Sequence, residues 1–418
     1  MSCGLKNAPA TFQRLVNNGL DTVEAYMDDV IDYDMEWDDH LKRTRALFKR
    51  LSEAKLTVNL AKCEFGKAQV EFLEHAAGHG QIPENFYPHR YLVLPQRKED
   101  NIQVGASTKV VLLAYMRSGS SLTGDVVQQS PDVFYMFEPL FSMEKQLSHY
   151  FDINNKRFNS KKVERHQHIL ESLLTCNLSS LDYMTLTQHH LVNSLSTTDY
   201  FNCTRNVKSI SDLHECLGPV RSTCATSRVV FAKVIRTNMI AMYHLLSTYP
   251  EFKVIHLLRD PRGLLASQNK VGHLPDGITA SAEATCGKMY SDVERSIGYK
   301  KRFPGRVLTV RYEDIALDPL HIYKQVYDFL GIDLTKNIQN YILDMTSNSV
   351  TNCGARCIRK NSSFTVFKWR RYLSYFTMSK IDRSCSKLYR KVGYLPHVKS
   401  SNSFGATLAD MPEALSEV

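Results

Sequence analysis

A chain of 418 residues has room for two or three domains. With 43% apolar and 23% charged residues its composition is that of a globular protein, and no apolar run approaches the roughly 20 residues that cross a bilayer. The net charge of +9 points to an anionic partner, although solvated Lys and Arg alone would produce it.

The chain opens on MSCGLKNAPATF, which has no signal-peptide core. The expectation is a soluble chain with no membrane anchor and no visible route into the secretory pathway. Val23 to Tyr33 reads as a hairpin with Asp28 and Asp29 at its turn. Trp37, Leu41, Phe48 and Leu51 mark one face of a following helix. The phrases Gly4-Leu-Lys-Asn-Ala-Pro-Ala-Thr-Phe-Gln-Arg14, Tyr26-Met-Asp-Asp29 and Leu56-Thr-Val-Asn-Leu-Ala-Lys-Cys-Glu-Phe65 closely resemble the palm of retrotransposon reverse transcriptases. That resemblance runs over 1–82 and implies a partial α+β polymerase palm fragment. In the family the Asp pair helps hold two Mg²⁺ ions, a site that needs several converging oxygen ligands. The family's further metal-binding Asp lies on an earlier palm strand, ahead of the first residue here. The fragment is therefore expected to be inactive, a remnant of a mobile element, with no metal site and no nucleic-acid partner.

Residues 83–105 read as a linker. Pro83, Pro88 and Pro95 mix with Arg97, Lys98, Glu99 and Asp100, and no periodicity is sustained. Val110 to Ala114 is then an apolar, β-branched run, the signature of a buried parallel strand. It ends at Tyr115-Met116-Arg117, and Ser118-Gly119-Ser120-Ser121 let the backbone turn sharply. From Ser120 the pattern is helical, with Leu122, Val126 and Val127 on one face. Strand, small-residue loop and helix start together bind phosphate or sulfate, with loop amides and the helix dipole aimed at the anion. Arg117 adds a charge at the mouth. The loop lacks the first Gly and the Lys of GxxxxGK[ST], which argues against an ordinary ATP site or a P-loop kinase.

Val133 to Phe137 reads as a short buried strand ending at Glu138. A carboxylate there suits a general base, or a structural salt bridge or helix cap. Lys161, Lys162, Arg165 and His166 form a basic cluster, either a glycan contact or a solvated helix face. Leu178 to Ser211, rich in Ser, Thr and Asn, is expected to form variable loops near an acceptor. Val229 to Arg236 is a second buried strand ending in Lys233 and Arg236, which either stabilise charge in a cleft or pair with a structural carboxylate. Val254 to Leu258 is a third strand, with Arg259 and Asp260 at its carboxyl end, where open α/β sheets bind ligands. Pro261 stops it and a helix follows. Ser267 lies about two helical turns beyond Arg259, so a kinked or folded-back loop is expected to join them. Arg262 either assists or is solvated. Val307 to Asp314 is a fourth strand with a polar end, where Arg311 supports the sheet by pairing with an internal carboxylate. Cys353 and Cys357 lack a second ligand pair for zinc. Eight of the ten Cys lie after residue 170, an even number that fits disulfide formation without fixing connectivity. Asn177, Asn202 and Asn361 begin glycosylation sequons.

The phrase RSGSS at 117–121 resembles the 5′-phosphosulfate loop of sulfotransferases, which use 3′-phosphoadenosine 5′-phosphosulfate (PAPS). YMFEPL, the segment RDPRG…S from Arg259 to Ser267, Arg311-Tyr-Glu-Asp, and the stretch Phe367-Lys-Trp-Arg370 with Cys385 and Gly393-Tyr394 extend the likeness. They resemble the Golgi carbohydrate 6-O-sulfotransferases acting on galactose, N-acetylglucosamine or N-acetylgalactosamine. The resemblance covers about 109–396 and implies a three-layer α/β domain with a mostly parallel sheet and a P-loop-like phosphosulfate-binding loop. It divides the second part into a sulfotransferase domain at 106–396 and a tail at 397–418. It implies transfer of a sulfuryl group from PAPS to a 6-hydroxyl of a glycan such as keratan or chondroitin, in the Golgi lumen, without a metal. Arg117, Ser118, Gly119, Ser120 and Ser121 would hold the phosphosulfate, and Arg259 and Ser267 the 3′-phosphate. Glu138 would take the hydroxyl proton, Lys233 would stabilise the developing charge, and Arg359 and Lys368 are further nucleotide candidates. An inactive transposon-derived chimera and a nucleic-acid-binding polymerase remnant are the rival readings.

Overall fold

In a computed structural model the described residues are 107–142, 156–205, 207, 210–347 and 366–397, with short pieces of the first eighty. The chain divides into two units, one of residues 1–94, 142–159 and 182–186, the other of 95–141, 160–181 and 187–418. The main division, at 94, falls inside the expected linker.

In the first unit, β1 (Val23–Tyr26) pairs antiparallel with β2 (Asp29–Asp32), and β3 (Gln69–Phe72) with β4 (His75–Gly78). Tyr26 stands opposite Asp29, so Asp29 opens the return strand. Asp28 lies outside the described residues. Residues 41, 44–46, 48, 49 and 52 are helical, while Trp37 and Leu51 lie outside those described.

The second unit is built on five parallel strands, β5 (Thr108–Leu113), β6 (Val133–Phe137), β7 (Val229–Val234), β8 (Phe252–Leu258) and β9 (Val307–Arg311), in the order β6-β7-β5-β8-β9. Their mostly apolar, mostly buried residues fit strands covered on both faces. Val110 and Leu112 pack with α1 (Ser120–Val127) and α7 (Pro319–Leu330) in one core cluster. Leu258 joins α5 (Pro261–Lys270), α6 (Gly277–Arg302) and α8 (Tyr375–Val392) in another. Because every strand is parallel, all five carboxyl ends reach the same edge. Leu113 is level with Val234 on one side and His256 on the other. The ladder runs one residue further, with Ala114 N–H donating to Val234 O (3.0 Å) and Glu138 N–H to Lys233 O (2.9 Å). The first strand lies at the centre with later strands on both sides, the arrangement that opens a crevice above its carboxyl end.

Residues 187–204 differ from the expected variable loops. They form short helical turns at His189–Asn193 and Leu195–Thr197 and a helix at Thr198–Thr204. Their hydroxyls serve the edge strand β6: Tyr135 N–H donates to Ser196 Oγ and Phe137 N–H to Ser194 Oγ, both at 2.9 Å. Serines here replace a missing sixth strand, which a count of polar residues cannot distinguish from a solvated loop. Disulfides join Cys176 to Cys224, Cys203 to Cys216 and Cys286 to Cys385. The last ties α6 to α8. Cys353, Cys357, Arg359 and Asn361 lie outside the described residues. Among those described, no helix is long and apolar enough to cross a membrane.

Ser194→Ala and Ser196→Ala each strip a buried edge N–H of its acceptor. Each should cost about 1 kcal/mol in urea unfolding, and about 2 kcal/mol together. Losses of only a few tenths would show that these hydroxyls do not finish the sheet.

Candidate active site at the carboxyl ends of the sheet

The loop after β5 is closed by its own serine. Ser118 N–H donates to Tyr115 O (3.0 Å), and Ser118 Oγ accepts from Tyr115 N–H (3.3 Å). Ser118 is fully buried, Ser120 is buried and Ser121 half-buried. Arg117 and Gly119 both take positive φ, 71° and 94°. Gly119 has a second reason to be glycine, since a Cβ there would run into the Tyr312 ring. Gly119 precedes α1, whose first turn has no side-chain cap and no acidic residue. Its leading N–H groups and the positive end of its dipole therefore face the crevice uncompensated.

The other half of the loop's contacts come from β8 and α5. Arg259, at the end of β8, donates from Nη1 to Arg117 O at 2.7 Å and lies 4.5 Å over the Tyr312 ring. Its Nε is buried with no hydrogen-bond partner. Gly263 lets Trp369 and Arg259 approach the start of α5: a Cβ would sit 3.0 Å from Trp369 and 3.3 Å from Arg259 Nε. Arg117 Nε donates to Ser267 Oγ (3.1 Å), and Gln268 Nε2 donates to Met116 O (2.9 Å). The helix is continuous from Pro261 to Lys270, so the expected kink is absent. None is needed, because the loop after β5 crosses α5 and carries Arg117 to Ser267. The two anion-binding halves predicted separately thus form one cluster.

Arg262 is neither solvated nor part of that cluster. It is buried, pairs with Asp260 (2.8 Å) and Asp382 (3.3 Å), and lies 4.5 Å over Trp369. Arg311 pairs with Asp314 (2.7 Å) and donates to Val392 O (3.3 Å), a supporting role. His166 leaves the basic cluster of its helix: it is buried, 3.0 Å from Thr237 Oγ1.

On the far side of the loop, Glu138 and Lys233 meet. The Glu138 carboxylate takes Lys233 Nζ on one oxygen (2.5 Å) and Arg236 on the other. Glu138 has a positive φ of 46°, an uncommon conformation for a non-glycine residue and one that turns the chain at the sheet edge. Lys233 is fully buried, 3.9 Å from the Phe137 ring centroid. Burial, and then the Arg117 charge, push its ammonium well below the usual lysine range. Arg236 lies 4.8 Å over Phe141, which stacks on His190 at 3.8 Å.

Sequence reasoning missed the support beneath the loop. Tyr115 O–H donates to Asp292 (3.0 Å), and its oxygen meets His256 Nε2 (2.9 Å). Both Tyr115 bonds form together only if Nε2 carries the proton, leaving Nδ1 to accept from Ser296 (2.7 Å). Asp292 also accepts from Met239 N–H (2.8 Å). The available signal was a His inside an otherwise apolar strand.

The model of the sulfotransferase family matches residues 110–336, and that of reverse transcriptase (RNA-dependent DNA polymerase) matches residues 1–76. Carbohydrate sulfotransferase 3 of Homo sapiens is 26% identical over 327 residues, covering 69% of this chain and 68% of that protein. Carbohydrate sulfotransferase 1 of Mus musculus is 28% identical over 325 residues, covering 69% and 79%. Among solved structures, the sulfotransferase domain of the Synechococcus PCC 7002 olefin synthase is 18% identical with a TM-score of 0.41, covering 70% of this chain and 98% of that one.

Burial, reinforced by Lys300 and Lys288, pushes His256 from 6.5 down to about 3. The unfolded chain takes the proton first, so this contribution to stability is complete above pH 6.5 and is lost as pH falls towards 3. Between pH 6 and 4 the loss is about 1.4 kcal/mol per pH unit. His256→Gln should be less stable at pH 7, and its stability should fall less steeply with acid by that amount. Urea unfolding of both proteins across this range tests it, and parallel slopes would refute it.

Proposed function

The chain belongs to the sulfotransferase family, and on that premise we propose that its second unit moves a sulfuryl group from PAPS to a glycan hydroxyl. The acceptor position is the 6-hydroxyl of galactose, N-acetylglucosamine or N-acetylgalactosamine, in glycans such as keratan or chondroitin. The observation that carries the donor assignment is Arg259 Nε, a buried charged donor with no partner. It lies in a cluster bonded to a phosphate-type loop whose helix start is uncapped. A donor with phosphate groups at two ends of one nucleoside uses both features, whereas a single phosphate uses one.

The residues take these parts. The loop amides from Ser118 to Ser121, with Arg117, hold the phosphosulfate. Arg259 holds the 3′-phosphate, and Ser267, which accepts from Arg117, keeps its own O–H to donate to the same group. The acceptor oxygen forms a bond to sulfur as the bond from sulfur to the phosphate oxygen breaks. That electron pair leaves on the phosphate, where Lys233 and Arg117 stabilise it. The hydroxyl proton goes to Glu138, both of whose oxygens carry cations in the free protein, so one must leave first. Arg236 is the one placed to move, with its side chain 17% exposed against 2% for Lys233. Three disulfides fit an oxidising lumen such as the Golgi, and the sequon residues Asn177 and Asn202 are exposed.

The test is transfer of labelled sulfate from PAPS to keratan, chondroitin and simple galactose or N-acetylglucosamine acceptors. Calorimetry of 3′-phosphoadenosine 5′-phosphate (PAP) binding accompanies it. Arg259→Ala should weaken PAP binding by roughly 10- to 100-fold, the worth of a charged hydrogen bond. Glu138→Gln should lower turnover by about 10²-fold or more with PAP affinity nearly unchanged. Neither transfer nor PAP binding by the parent protein would end the sulfotransferase reading. Unchanged turnover in Glu138→Gln would end only the base assignment.

A further inference from the structure

Helix α8 carries an unusual outer face. Its inner face is apolar and buried, through Met378, Ile381, Cys385, Leu388 and Val392. On the opposite side Phe376, Lys380, Arg383, Lys387, Arg390 and Lys391 are exposed. Their spacings of 4, 3, 4, 3 and 1 keep all six within about 120° of the helix circumference. The stripe runs about 22 Å, at 1.5 Å per residue. Its five cations face no acid on the helix itself, whose one carboxylate, Asp382, is buried against Arg262. Only Lys391 has an ion-pair partner among the described residues, Glu294 of α6. Five like charges in a row repel one another. At the amino end the stripe meets an aromatic group. Phe376 and Tyr372 are each 66% exposed and Tyr375 46%. Lys380 Nζ stands 4.8 Å over the Phe376 ring and Lys368 Nζ 5.8 Å over Tyr372.

We propose that this stripe is an extended docking surface for an already anionic, sulfated glycan chain, and that it holds the polymer on which the active site acts. The proposal rests on the sulfotransferase reading and narrows its acceptor to a polyanion. Two chemistries on one face support it. The cation row matches a regularly charged chain, and exposed aromatic rings give sugar rings a flat apolar surface to lie against. Its location fits as well. Asp382, on the inner face of α8, bonds Arg262, three residues from Arg259. Trp369, just before α8, packs against Gly263 beside Arg259. The surface and the site are thus two sides of one support, and a polymer that reaches round it is held at a raised effective concentration at the site. A membrane is a poorer occupant, because the apolar face of α8 is already spent in the core and cannot enter lipid.

The test uses the full chain and the triple variant Arg383→Gln, Lys387→Gln, Arg390→Gln. All three are exposed, and none takes part in the core or the site. Binding of chondroitin sulfate chains, measured directly, should weaken roughly tenfold, and its dependence on salt should become shallower. KM for a sulfated polymeric acceptor should rise by a similar factor. kcat, PAP affinity and KM for a short uncharged acceptor should stay within twofold. Arg383→Lys with Arg390→Lys should retain the parent's binding, since charge and not shape is at work. Equal loss on short and polymeric acceptors would overturn the proposal, as would unchanged chondroitin sulfate binding. Weakened binding of duplex DNA or of anionic vesicles, with chondroitin sulfate binding intact, would assign the stripe to another partner and also overturn it. Absence of PAP binding in the parent would instead count against the sulfotransferase reading, and direct polymer binding would still decide the docking surface.

Discussion

The hydrogen bond from Arg259 to the Arg117 carbonyl draws two guanidinium groups into one crevice. Lys233 and Arg236 approach the same loop from the other side, and Glu138 is the carboxylate that both of them contact. Such an excess of positive charge, partly buried, costs free energy that the fold must supply. Asp260 and Glu313, the nearby acids, are engaged elsewhere. Asp260 caps α5 and pairs with Arg262, while Glu313 accepts from Asp260 N–H and from Tyr394. Burial, and then Asp260, raise the Glu313 pKa, so even this carboxylate is a reluctant counterion. The cheapest relief is a ligand with several negative charges. Binding it gives Arg259 Nε a partner and stabilises the folded state by mass action.

The strands of this unit were legible because each is a mostly apolar run stopped by a polar or small residue. Arg117, Glu138, Lys233, Arg259 and Arg311 were legible for the same reason, as charges at strand ends. Their partners were not. That Glu138 meets Lys233 depends on β6 lying beside β7, and strand order is a non-local property. Ser267 was placed near Arg259 by spacing along one helix, but it bonds Arg117 because a loop from another strand crosses above it. The serines of 194–196 were misread for a related reason. A hydroxyl that completes a sheet edge and one that faces water leave the same trace in composition. His166 looked like a member of a basic cluster by adjacency, whereas helical geometry turns it inward to Thr237.

In the first unit the Tyr26 to Asp29 motif sits on short paired strands. Its strands are four residues long and pair only as two separate hairpins among the described residues. Two-stranded hairpins are marginal unless a third strand or a helix covers one face. Asp29 begins β2, so the motif keeps its place on a hairpin. Metal chemistry needs carboxylates converging from different strands, and a hairpin alone supplies neighbours on one.

Precision at Arg259 comes from ties that hold the backbone around it from several directions. Asp260 N–H is fixed by Glu313, itself held by Tyr394 beyond the end of α8. Arg262 is locked between Asp260 on its own helix and Asp382 on α8, and Tyr389 O–H steadies Asp382 at 2.9 Å. Cys286–Cys385 then fixes α8 to α6, and α6 carries the Asp292 and Ser296 that support Tyr115 and His256 under the loop. The chain of contacts closes on itself, since the loop supported by Tyr115 is the one that Arg259 bonds. A guanidinium held this way loses little freedom when it meets an anion, because the ordering was done when the protein folded. The apolar inner face of α8 therefore serves the site, and its charged outer face is left free for a different task.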